Sequence, residues 1–157
     1  MKIDENSILI IRGCGPVGYP GSAEVVNMQP PDKLLKKGIN TLPTLGDGRQ
    51  SGTSESPSIL HVSPESAVGG DLGIVKTYDK IKIDLNKRRV DLLISQAEFK
   101  KRRKNKKVFK PNNQTPWQEI FRNTVGQLDD GACINSRGKY LDCLLYTSDA
   151  ADEGLGV

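Results

Sequence analysis

An α/β domain of short mixed strands with peripheral helices is what this sequence predicts, and three observations predict it. Apolar runs of strand length alternate with glycine- and proline-rich loops between residues 8 and 70. Residues 80–94 alternate apolar and polar positions with period two. Two later segments begin with helix-capping residues, Ser95 and Thr115.

Taken in order, Ile8–Ile11 reads as a strand leading into the glycine-rich turn Gly13–Gly21. Ser22 is placed to cap a short helix running to about Met28, with Glu24 in its first turn. Asp32 caps a second, Lys33–Lys37, which Gly38 closes in a left-handed conformation. Thr41–Leu45 makes the next strand and runs into a polar loop, Gly46–Thr53. Leu72–Thr77, Lys80–Leu85 and Arg89–Ile94 read as a three-stranded meander turning at Tyr78-Asp79 and Asn86-Lys87-Arg88. In its middle strand Ile81, Ile83 and Leu85 face inward, against Lys80, Lys82 and Asp84. Ser95-Gln96-Ala97-Glu98 is a capping box opening a helix to about Lys104. After a basic linker, Thr115-Pro116-Trp117-Gln118 opens the last helix, whose Trp117, Ile120, Phe121 and Val125 form one apolar stripe that must pack on something.

At 157 residues the chain is long enough for one domain with a real core. No apolar run approaches the roughly 20 residues of a membrane helix, so a soluble cytoplasmic protein is expected, with no membrane partner. Cys14, Cys133 and Cys143 are odd in number, far apart and form no CxxC pair, which argues against a disulfide framework or a self-contained metal site. A single histidine, His61, cannot build one alone.

Glycine is needed where backbone turns with positive φ or approaches another group closely, and loops held by a scaffold tend to carry function. Three such motifs occur in sequence: Gly15-Pro16-x-Gly18-Tyr19-Pro20-Gly21-x-x-Glu24, Asp47-Gly48-Arg49-x-Ser51-Gly52-Thr53, and His61-Val62-Ser63-Pro64-Glu65-x-Ala67-x-Gly69-Gly70. Together they resemble the iron–sulfur dihydroxy-acid and sugar-acid dehydratases, a family that includes phosphogluconate dehydratase. The variants Arg12-Gly13-Cys14-Gly15, Val25–Pro31, Gln114–Ile120 and Val125–Leu128 look more like the aldonate branch than the branched-chain amino-acid branch.

That resemblance implies a small, barrel-like C-terminal domain of the swivelling type, truncated here on its N-terminal side. It implies a partial chain: residues 1–104 the domain, 105–114 a basic linker, and 115–142 the final helix and tail. Residues 143–157 match a translated transposase adapter from shotgun sequencing and carry no functional weight. The family's 2Fe-2S cluster and most magnesium ligands would belong to the N-terminal domain of the same chain, with a homo-oligomer as the working assembly. The implied activity is dehydration of a 2,3-dihydroxy acid, such as xylonate or arabinonate, to the 2-keto-3-deoxy acid. The piece alone would be inactive.

Within that scheme Ser51 matches the catalytic base, Gly52 and Thr53 line the substrate beside it, and Glu24 is the Mg2+ ligand from this domain. A serine hydroxyl is a poor base, so its alkoxide must be favoured by a cation or by backbone N–H donors. Without the resemblance, Glu24 is a helix-start carboxylate favoured by the macrodipole and Ser51 a turn residue. Asp47 and Arg49 are expected to orient the loop through hydrogen bonds, Cys14 to be packed and inert, and His61 to be a structural loop residue. The run Lys100–Lys107 raises a different class, a basic nucleic-acid-binding domain. It lacks interleaved aromatic residues for base stacking, and a solvated helix end accounts for it better, so no nucleic-acid partner is expected.

Overall fold

Parallel strands form the centre of the molecule. The computed structural model describes residues 2–24, 29–49 and 57–134. β1 (Leu9–Ile11), β2 (Thr44–Gly46) and β3 (Ser58–Ile59) make a three-stranded parallel sheet with β2 in the middle. Leu9 pairs with Thr44 and Ile11 with Gly46, while Leu45 faces Ile59 on the other side. All three residues of β2 are buried, as a strand with neighbours on both edges should be. Its Leu45 joins Leu34, Leu42, Leu72 and Ile74 in the core.

α1 (Asp32–Leu35) is shorter than expected and starts after Pro31, with no side-chain cap from Asp32. Its end is as predicted. Gly38 has φ of 78°, its N–H donates to Leu35 O, and Ile39 N–H donates to Leu34 O. Those two bonds satisfy carbonyls that a helix end leaves open. Ser22–Glu24 are not helical, and the rest of the helix expected to reach Met28 lies outside the described residues.

β4 (Ile81–Asp84) and β5 (Arg89–Leu92) form an antiparallel hairpin, pairing Ile83 with Val90 and Asp84 with Arg89. Only two of the three expected meander strands are present. Leu72–Thr77 is not a strand: Asp71–Ile74 forms a 3-10 turn that buries Leu72 and Ile74. Side chains take the carbonyls that a ladder would use. Arg12 donates to Gly73 O and Val75 O, Arg102 to Ile74 O, and Lys106 Nζ to Gly70 O. Leu85 falls past the strand end, 77% exposed, instead of facing inward. The expected barrel is not formed either, since neither sheet closes on itself among the described residues.

Both capped helices are present. α2 (Gln96–Lys104) starts at Ser95, whose Oγ accepts from Glu98 N–H. The Glu98 side chain does not close the capping box. It accepts from Arg102 Nε at 2.7 Å, one turn on. Arg102 also grips both oxygens of Asp79, so this part of the basic run is docked on the body and not solvated. α3 (Pro116–Thr124) is capped by Thr115, with Gln118 reaching back to Gln114 N–H. On its apolar stripe Phe121 and Val125 are half-buried, whereas Trp117 and Ile120 are exposed at 78% and 52%. No helix among the described residues is long and apolar enough to cross a membrane.

The Arg102 pair sets an acid limit on stability. Its hydrogen bonds hold the Asp79 carboxyl below its ordinary value of 3.8. A depressed carboxyl contributes stability that is present above its unfolded pKa and lost as pH falls through the folded one. Asp79→Asn is therefore expected to flatten the decline in thermal midpoint below about pH 4, the usual unfolded carboxylate range. Melting curves of both proteins from pH 7 to pH 2 check this; parallel acid limbs would refute it.

Candidate active site

The three glycine-containing motifs meet around two fully buried carboxylates, Asp47 and Glu65, both 0% exposed. Asp47 follows β2 directly and receives the start of the first loop. It accepts from Gly13 N–H at 3.0 Å and Cys14 N–H at 3.1 Å. It also accepts from Ser66 N–H at 2.9 Å and from Ser66 Oγ at 2.5 Å. Glu65 binds the apex of the same loop, accepting from Val17 N–H at 2.9 Å and Gly18 N–H at 2.8 Å. Gln127 completes it: its Nε2 donates to Glu65 Oε1, and its Oε1 accepts from Glu65 N–H. Two buried carboxylates with no ion pair among the described residues are tolerable because amide donors surround them.

This arrangement explains the loop's glycines more directly than a ligand cradle does. A Cβ on Gly15 would overlap the Glu65 carboxylate and sit 2.8 Å from Glu65 Cβ. One on Gly18 would sit 2.7 Å from Gly13 O, within its own turn. The second and third motifs are joined by backbone as well, His61 N–H donating to Gly48 O and Val62 N–H to Gly46 O. His61, with φ of 61°, is an exposed loop residue, and its neighbouring Ser63–Pro64 peptide is cis. Arg49 donates to Ser22 O at 3.2 Å, tying the second motif to the first just before Glu24. Asp47 and Arg49 thus orient loops, as expected from the sequence.

Glu24 stands at the exposed end of this assembly. Ser51, Gly52 and Thr53 lie outside the described residues. Of the carboxylates named in the motifs, Asp47 and Glu65 are spent on amides and only Glu24 is open to solvent. Among the described residues no group of three or more His, Cys, Asp or Glu side chains is placed to hold a metal ion. Glu24 fits a hard oxygen-liganded cation as a single donor. The two described cysteines do not fit an iron–sulfur cluster: Cys14 and Cys133 are free thiols, and burial pushes the Cys14 thiol up, away from the thiolate a cluster requires.

A cleft of about 720 Å3 opens on the far side of the clamp. Gly13 and Ser66 form part of its floor, and Lys101, Lys106, Lys107 and Lys110 stand around it. Its lining includes none of residues 15–24. Glu65, Gln127 and Arg122 were not singled out from the sequence. Glu65 carried a signal, because an acidic residue inside a glycine-bearing motif has to be either exposed or saturated with donors. Arg122 reaches the loop over 105 positions and Gln127 reaches Glu65 over 62, and neither contact has a local sequence signal.

Loops welded by buried carboxylates on an α/β sheet define a scaffold that presents a few exposed polar groups. A family model described as the dihydroxy-acid/6-phosphogluconate dehydratase C-terminal domain matches residues 1–132. The chain belongs to this family. It is 58% identical to D-xylonate dehydratase of Caulobacter vibrioides over 142 residues, 90% of this chain and 24% of that protein. It is 47% identical to L-arabinonate dehydratase of Rhizobium leguminosarum bv. trifolii over 116 residues, 74% of this chain and 20% of that one. Identity to the dihydroxy-acid dehydratase of Thermodesulfovibrio yellowstonii is 41% over 134 residues, 85% and 24%. The chain spans about a quarter of the length of these curated relatives.

Proposed function

We propose that this chain is the C-terminal quarter of a sugar-acid dehydratase, a hydro-lyase that converts an aldonate such as xylonate to its 2-keto-3-deoxy acid. The observation that carries the reading is the 58% identity to a D-xylonate dehydratase across nine-tenths of the chain, against 41% to a dihydroxy-acid dehydratase. In the complete cytoplasmic enzyme, a preceding domain supplies the 2Fe-2S cluster and completes the barrel, and subunits associate. Glu24 would be one of the ligands of Mg2+, which when bound would supply electrostatic stabilisation of the negative charge that builds on the substrate carboxylate.

The rest follows from this chain's residues. Ser51, as the alkoxide, takes the proton from C2, and the C2 electrons form the enol double bond as the C3–O bond breaks. That same proton passes from Ser51 to the departing hydroxide to give water and restore the alkoxide, and the enol tautomerises to the ketone. Peptide N–H groups around Gly52 favour the Ser51 alkoxide, and the Thr53 hydroxyl orients the substrate. The bonds of Asp47 and Arg49 fix the backbone that leads to Ser51 on one side and to Glu24 on the other before substrate arrives, which is where positioning energy comes from.

In the complete enzyme, Ser51→Ala is expected to lower kcat with D-xylonate by about 10³-fold or more, the scale seen when an essential proton-transfer group is lost. Cluster absorbance and the melting temperature should stay unchanged. Full turnover by Ser51→Ala would remove the serine from the mechanism, and absence of sugar-acid turnover by the parent enzyme would remove the substrate class.

A further inference from the structure

We infer that Arg122 is a positioning residue for the metal-binding carboxylate, holding from the opposite side the turn that leads to Glu24; this rests on the function proposed above. Four amide donors of the first loop are taken by carboxylates, Gly13 and Cys14 by Asp47, Val17 and Gly18 by Glu65. Arg122 takes the carbonyls. Its Nε donates to Val17 O at 2.8 Å and its Nη2 to Gly18 O at 3.4 Å. The two residues at the apex, Val17 and Gly18, are therefore held at both N–H and C=O, by elements about 50 and 105 positions away.

The guanidinium is itself aimed. Asn113 Oδ1 accepts from its Nη1, and its carbon lies 5.8 Å from the centroid of the Phe109 ring. Among the described residues it forms no ion pair, so it is not placed there to neutralise an acid. α3 is fixed in turn by its Thr115 cap and, past its end, by Gln127 on Glu65. From the gripped apex, constraint passes along short bonds toward Glu24: Tyr19 N–H to Gly15 O, Ser22 N–H to Tyr19 O, and Arg49 to Ser22 O. A planar fork reaching two adjacent carbonyls is a task for arginine that lysine meets only in part.

The test uses the complete enzyme with Mn2+ in place of Mg2+, read by electron paramagnetic resonance, alongside turnover. Arg122→Ala should raise the Mn2+ dissociation constant about tenfold and lower kcat by a similar factor, with KM for D-xylonate within about twofold. Arg122→Lys should recover at least half of that loss. Amide hydrogen exchange across Val17–Ser22 should speed up about tenfold in Arg122→Ala, while exchange in the β4–β5 hairpin stays the same. Metal affinity and loop exchange both within twofold of the parent would overturn the assignment, as would loss of melting temperature with kcat per folded enzyme intact. Should Arg122→Ala not fold, Arg122→Gln is judged by the same limits. If Glu24→Gln leaves Mn2+ binding unaltered, the metal role of Glu24 fails, and loop exchange alone then decides whether Arg122 holds the turn.

Discussion

Asp47→Ala is expected to destabilise the protein by about 4 kcal/mol or more, enough to unfold most of it. The carboxylate is wholly buried and accepts from Gly13, Cys14 and both donors of Ser66. Removing it strands these groups away from water, and a buried donor left unsatisfied costs about 1–3 kcal/mol. Even two or three such losses approach the 5–15 kcal/mol that typically separates folded from unfolded domains. Asp47→Asn keeps the volume but turns an NH2 group toward N–H donors, so it should recover only part of the loss. Urea denaturation followed by circular dichroism measures both. A shift below about 1 kcal/mol for Asp47→Ala would mean that water replaces the carboxylate and that the loops are not welded by it.

Glu65→Ala should be nearly as damaging, by about 3–5 kcal/mol, for a related reason. It frees the Val17 and Gly18 amides and one end of Gln127, and it leaves a void where Gly15 packs against the glutamate stem. Coupling separates the two contributions. Gln127→Ala alone should cost less, because it removes one bond to each side of Glu65 and leaves the loop amides satisfied. A double-mutant cycle between Glu65 and Gln127 should give a coupling of about 1–2 kcal/mol, as directly bonded neighbours do. A coupling near zero would place Gln127 outside the clamp.

The parts of the fold visible in the sequence are those governed by short-range chemistry. Ser95 and Thr115 cap the helices they were expected to cap, and Gly38 closes α1, because caps and left-handed glycines act within four residues. The β4–β5 hairpin follows from period-two alternation in the same way. Leu72–Thr77 misled because its apolar run matches a strand, whereas Arg12 and Arg102 arrive from distant positions to claim its carbonyls. The site divides along the same line. The motif residues were legible, and so was the orienting role of Asp47 and Arg49, but the glycines of the first loop answer to Glu65 as much as to any ligand. Arg122 meets that loop, and Gln127 meets Glu65, only through the tertiary fold.

That division bears on the chemistry. Acidic residues that look catalytic in a motif are here of two kinds: Asp47 and Glu65 hold backbone, and Glu24 is exposed, as the proposed cation ligand would be. In the proposed enzyme this leaves one carboxylate from this domain to face the substrate beside Ser51.

The most direct measurement is a crystal structure of the complete enzyme with Mg2+ and a sugar acid bound. A Glu24 oxygen is predicted within about 2.0–2.1 Å of the ion, the usual Mg2+–oxygen distance, with Ser51 Oγ within about 3.5 Å of the substrate C2. Glu24 turned into solvent, with Asp47 or Glu65 released from its amides to bind the ion, would contradict it.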